Sequence, residues 1–167
     1  MLRSIAYLQQ MGETMSTIQE SVDVEVPVRT AYDQWTQFED FPRFMEGVES
    51  VTQLDDTHLR WVAEIGGVRR EWQAQIDEQH PDERVAWHAT DGATNAGAVT
   101  FHRLDERTTR VMLQLDFDPD GMVETVGDKL GFVRRRASGD LGRFKEFIEG
   151  RGVETGGWRG DVQRPGT

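Results

Sequence analysis

The sequence predicts one α+β domain: a seven-stranded antiparallel sheet wrapped around a long C-terminal helix, with two short helices between strands 1 and 2. Three observations carry this. Seven segments between residues 17 and 117 read as strands, several with clean period-two alternation. The links between the last six are so short that neighbouring strands must run antiparallel. A single apolar stripe with spacings of three and four then runs from Val123 to Ile148.

The first strand, residues 17–26, places Ile18, Val22, Val24 and Val26 on one face and Gln19, Ser21, Asp23 and Glu25 on the other. Pro27 ends it, having no N–H for the ladder, and suits the first turn of a helix. Val28, Ala31, Tyr32, Trp35 and Phe38 give that helix an apolar face. Asp40 is placed to cap a second short helix carrying Phe41, Phe44 and Met45, which Gly47 closes. Strands follow at Val48–Leu54, His58–Ile65, Val68–Glu78, Arg84–Thr90, Thr94–Leu104 and Thr108–Phe117. Gly66-Gly67 is a strong hairpin signal, and Asp55-Asp56, Asp91-Gly92 and Asp105-Glu106 mark other turns. Asp118-Pro119-Asp120-Gly121 breaks the sheet and opens the long helix. At about 28 residues it would span roughly 42 Å, enough to cross the sheet. Its glycines, at 127, 131, 139 and 142, each cost about 1 kcal/mol relative to alanine, so it needs a whole face packed against the sheet.

These signals place the domain at residues 16–150. Residues 1–15 read as an N-terminal extension outside the fold, and 151–167 as a flexible, glycine- and charge-rich tail. Trp158 is the one residue there suited to packing back. The extension lacks the apolar run of a secretory leader, and no stretch approaches the roughly 20 apolar residues of a spanning helix. With no cysteine, disulfide scaffolds, thiolate catalysis and Cys-based zinc sites are excluded, and a cytoplasmic location is expected. Net charge is −11, which argues against nucleic acid and anionic membrane as partners.

Several stretches resemble the START-like helix-grip superfamily, and within it the bacterial polyketide cyclase/dehydrase and coenzyme-Q-binding-like branch. They are Val24 to Pro27, Ala31-Tyr32 to Trp35, Phe38 to Met45, Glu71-Trp72, Pro81 to Trp87, Gly97 to Phe101 and Phe144 to Ile148. The resemblance spans about residues 17–150. It implies a ligand cavity between sheet and helix, and brings no short catalytic signature with it.

Strand parity predicts which residues face that cavity. Leu59, Trp61, Ala63 and Ile65 point inward from the third strand, and Val68, Arg70, Trp72, Ala74 and Ile76 from the fourth. Val85, Trp87 and Ala89 do so from the fifth, Asn95, Gly97, Val99 and Phe101 from the sixth, and Val111, Leu113, Leu115 and Phe117 from the last. The candidate ligand-binding set is Trp61, Arg70, Trp72, Trp87, Asn95, Val99 and Phe101, with Leu130 from the helix. The three tryptophans either plug the cavity or wall a flat ligand. Arg70 and Asn95 are the polar groups that would orient one.

Catalytic chemistry is poorly supported. Parity puts His58, His88 and His102 on the outer face, and His80 lies in a turn, so no catalytic residue is assigned. No metal-ligand spacing occurs, and no cofactor is implied. Arg134, Arg135 and Arg136 fan out over about 200° of a helix surface and read as a solvated face able to pair with acids such as Asp140. The expected function is non-catalytic binding of a hydrophobic small molecule resembling a polyketide, quinone or lipid. Two alternatives stand beside it. One is a cyclase or dehydratase in which Arg70 stabilises an enolate. The other is an interaction module that uses Phe41, Phe44 and Trp158 as exposed aromatics. The sequence names no protein partner.

Overall fold

The computed structural model describes residues 15–92, 94–122 and 127–164. The proposed extension, apart from Met15, and the segment carrying Val123 and Val126 lie outside the described residues. Seven strands form one antiparallel sheet: β1 (Ser16–Val24), β2 (Val48–Asp55), β3 (His58–Ile65), β4 (Val68–His80), β5 (Arg84–Ala89), β6 (Asn95–Asp105) and β7 (Thr108–Phe117). Their spatial order is β1-β7-β6-β5-β4-β3-β2. Consecutive strands β1 and β2 therefore sit at opposite edges. The chain between them crosses the mouth of the curled sheet as helix α1 (Val28–Trp35) and a 3-10 helix, Phe38–Arg43.

The period-two pattern of β1 is explained by its pairing with β7, in which Ile18 faces Leu115 and Val24 faces Thr109. A register shift between Ile76 and Glu78 bends β4 against β5. Beyond it parity inverts, so Gln79 rather than Glu78 is buried opposite Val85.

The long helix departs from expectation at its start. Pro119–Met122 forms a single turn, α2, and the main helix α3 covers only Lys129–Arg151, 23 residues or about 35 Å. Asp128 is the break. Its backbone is non-helical and its side chain accepts the Gly131 N–H at 3.0 Å, which makes it the N-cap of α3. From there the expected stripe holds, with Val133, Ala137, Leu141, Phe144 and Ile148 all buried.

The core joins the inner sheet face, α3 and the crossing helices. Trp35, Phe41 and Phe44 pack on Phe144 or on one another with ring centroids 5.1–6.1 Å apart. This corrects the reading of Phe41 and Phe44 as exposed, since each is only 3% exposed. The 3-10 turn containing Pro42 aims both rings into the core rather than along an outer helix face.

The C-terminal segment, expected to be a flexible tail, is held against the domain. Val162 and Gln79 exchange backbone hydrogen bonds of 2.8 and 3.0 Å. The Thr155 N–H donates to the Gln34 side chain at 2.9 Å, and its hydroxyl donates to Asp40. Arg159 bridges Asp33 (2.7 Å) and Asp82 (2.8 Å), and His80 meets Asp161 at 2.6 Å. The composition of this segment gave no periodic signal because it is fixed by scattered polar contacts rather than by an apolar face.

Candidate functional site

Between the sheet and α3 lies a cavity of about 180 Å³. Strands β2 to β7 supply one wall, including Leu59, Trp61, Ala63, Trp72, Ile76, Val85, Trp87, Asn95 and Leu113. Trp35 of α1 and Phe38 and Phe41 of the 3-10 helix close one end. Helix α3 supplies Phe132, Val133, Arg136, Ala137, Asp140 and Leu141, positions that share one face by three-and-four spacing. Residues deep in the wall, such as Ile76, Val85 and Leu141, are buried, while Glu46 is exposed and Phe132 and Arg136 are half-buried. The cavity therefore reaches the surface between the 45–47 loop and α3.

Four of the eight proposed ligand contacts, Trp61, Trp72, Trp87 and Asn95, lie on this wall. Trp61 and Trp72, cross-strand partners, stack with centroids 5.6 Å apart and planes 7° apart. Trp87 lies opposite Gly97, where a Cβ would come within 2.7 Å of its indole. The tryptophans thus do both things considered for them: they fill much of the concave face and leave flat aromatic walls around the remaining space.

The other four are off the wall. Val99 is fully buried in the core. Phe101 packs edge-on against Tyr32, centroids 5.4 Å apart, under α1. Arg70 pairs with Ala63 close to the Gly66-Gly67 turn, at the outer end of the β3–β4 hairpin. Leu130 is 40% exposed because α3 has only just begun there.

The site also contains polar groups that parity did not offer. Arg136 was read as part of a solvated arginine face, but only its neighbours behave so. Arg134 faces Glu20 at 3.8 Å and Arg135 faces Asp128 at 3.9 Å. Arg136 turns to the cavity mouth, donates to the Glu46 carbonyl at 2.6 Å, and lies over the Phe132 ring. Asp140 also reaches the cavity, but it pairs with Arg143 and accepts the Glu46 N–H at 3.0 Å. Burial pushes its carboxyl above the ordinary range, against the pull of Arg143. The sequence signal was present in the 133-136-137-140-141 spacing, which puts two charges on the apolar stripe.

The histidines all engage partners away from the cavity. His58 meets Asp55, His88 meets Asp77, His102 contacts Thr100 and His80 meets Asp161. Among the described residues, no three metal-ligating side chains come together and no helix is long and apolar enough to cross a membrane.

A curled antiparallel sheet closed on a C-terminal helix, with an apolar cavity between them, defines the START-like helix-grip class. Within it, residues 24–146 match the family described as polyketide cyclase / dehydrase and lipid transport, and the chain belongs to that family. An uncharacterised 17.2 kDa protein from the melC2-rnhH intergenic region of Streptomyces lincolnensis is 62% identical over 149 residues, covering 89% of this chain and 99% of that one. The Zhui aromatase/cyclase of a Streptomyces species has the same fold, with a TM-score of 0.71 at 19% identity over 86% of this chain and 99% of its own. A START superfamily protein of Mycobacterium smegmatis gives 0.64 at 17% identity, over 81% and 95%.

Proposed function

We propose that the protein binds a small hydrophobic ligand in the sheet–helix cavity and does not transform it. The observation that supports this most directly is an apolar space of about 180 Å³ walled by Trp61, Trp72 and Trp87. Apolar cavities of about 150 Å³ hold a benzene molecule, whereas drug-sized ligands occupy about 300–1,000 Å³. The ligand is therefore about one substituted ring or a short branched chain. A polycyclic ligand requires a tryptophan to move.

The test is a heat-shift and native mass spectrometry screen with alkylbenzenes, simple quinones and short acyl chains. A ligand at ten times its Kd stabilises by about 1.4 kcal/mol, which moves the midpoint by roughly 3–6 °C in a domain of this size. No shift with any probe, and no bound mass, sinks the reading.

A second reading, a cyclase- or dehydratase-type enzyme, draws on Asn95, a buried amide on an otherwise apolar wall. An enolate-stabilising role for Arg70 loses support, because Arg70 is off the wall. Turnover of a small polyketide-like substrate that falls sharply in Asn95→Ala would favour this reading over simple binding.

A further inference from the structure

The mouth of the cavity carries three charged groups, Glu46, Arg136 and Asp140, that the binding reading leaves unused. Arg136 projects from the cavity face of α3 beside apolar Val133 and Ala137. Its guanidinium has a fixed seat: Nη1 donates to the Glu46 carbonyl at 2.6 Å, and Cζ lies 5.3 Å from the centre of the Phe132 ring. Gly47 makes this approach possible. It adopts φ +82°, and a Cβ there would fall 2.5 Å from Arg136 Nη1 and 2.6 Å from the Glu64 carbonyl.

Among the described residues, no carboxylate lies within ion-pair distance of Arg136, although the chain carries 30 acidic residues against 19 Lys and Arg. Its neighbours Arg134 and Arg135 each face an acid. The acid one turn further along α3, Asp140, is bound by Arg143 and the Glu46 N–H, and the Arg136 charge acts on it only from beyond ion-pair distance. A guanidinium has five N–H donors in a planar fork suited to carboxylate. One is used on the Glu46 carbonyl, and the side chain lines the cavity beside the Phe132 ring.

We infer that the ligand is amphipathic, with an apolar part of about one ring inside the cavity and an anionic end, a carboxylate or its equivalent, paired with Arg136 at the mouth. This rests on the ligand-binding reading above and adds the charge and orientation of the ligand. The overall charge of −11 opposes it, so a preference for an anion has to come from the local site.

The test compares two probes that share an apolar part, 3-phenylpropanoate and 3-phenylpropan-1-ol, on the full chain by calorimetry at neutral pH. The wild type is expected to bind the carboxylate about tenfold more tightly, as one charge-assisted bidentate contact provides. In Arg136→Met the ratio falls to one or below, and in Arg136→Lys part of it returns. If Arg136→Met does not fold, Arg136→Gln, together with the change in the wild-type Arg136 Nε–H resonance on adding each probe, gives the same answer. Binding of the alcohol with no preference for the carboxylate overturns the inference and leaves the binding reading standing. A preference that survives in Arg136→Met places the anion elsewhere and also overturns it. If neither probe binds while an alkylbenzene does, the inference falls and the binding reading stands; if the alkylbenzene also fails, both fall.

Discussion

Gly97→Ala tests how tightly the tryptophan wall is built. Gly97 lies on β6 directly across from Trp87 on β5. A methyl group there would sit 2.7 Å from Trp87 Cζ2, 3.0 Å from Cη2 and 2.8 Å from the Gln114 carbonyl. Comfortable carbon–oxygen contacts begin at about 3.3 Å. The carbonyl belongs to the β7 backbone, which is paired along its whole length, so relieving that contact strains the β6–β7 ladder, and the indole has to yield as well. Its free side is the cavity, so Trp87 is pushed into the ligand space. Overpacking of this kind costs about 1–3 kcal/mol. Replacing glycine stiffens the unfolded chain and returns about 0.4–1 kcal/mol. The net expectation is a loss of about 1–2 kcal/mol, read from the urea midpoint at unchanged m-value, with affinity for an alkylbenzene probe reduced at least tenfold. Stability within 0.5 kcal/mol of wild type and unaltered probe affinity would refute the reasoning, because the indole would then have room elsewhere.

Further outcomes follow from the docked C-terminal segment and the capped helix. Arg159→Ala leaves the nearly buried Asp33 carboxylate with only Arg29, 3.7 Å away. Because Arg159 is itself partly exposed, the loss is discounted to about 1–2 kcal/mol, with faster proteolysis within residues 152–164 as the second readout. The hydrogen bond to Asp161 raises the His80 pKa above its ordinary 6.5, with Glu78 acting in the same direction. Its stabilisation is therefore complete below 6.5 and is lost as pH rises through the folded-state value. The stability difference between wild type and His80→Gln should be largest near pH 6 and shrink towards pH 9; a difference that grows over that range reverses the sign and rejects the assignment. Asp128→Ala should cost about 1 kcal/mol through loss of the α3 cap, and Asp128→Asn should restore most of it, both by chemical denaturation.

The architecture was legible because its determinants are local. Gly66-Gly67 and the acidic turns fixed the hairpins, and period two fixed which face of each strand is buried up to the bulge at Ile76/Glu78. The start of α3 was misplaced because apolar periodicity continues through Val123 and Val126, while the cap at Asp128 depends on one side chain folding back on Gly131. In the site, parity found Trp61, Trp72, Trp87 and Asn95. It does not tell cavity from solid core along the same face, and Val99 and Phe101 share the parity of the wall while lying in the core. Arg136 is hidden in the sequence because three consecutive arginines read as one solvated run. Which of them turns inward is decided by the phase of α3 against Val133 and Ala137, and by the 45–47 loop that receives it. The C-terminal segment was unreadable for a different reason: its anchors, Gln34, Asp33, Asp82 and Gln79, are far from it in sequence.

The placement of β1 and β2 at opposite edges of the sheet sets an order of events during synthesis. Strands β2 to β7 can zip as successive hairpins as they emerge. Strand β1 is made first, yet its partner β7 comes near the end, with Ser16 waiting for Phe117. Closing so long a loop is slow, and until it closes Ile18 and Val24 present an unpaired apolar edge. The ligand space has no existence in the hairpin stage, since Phe132, Val133, Ala137 and Leu141 arrive only with α3. A ligand therefore has nothing to bind until nearly the whole chain has been released, and its binding energy acts on the last closure rather than on the early ones.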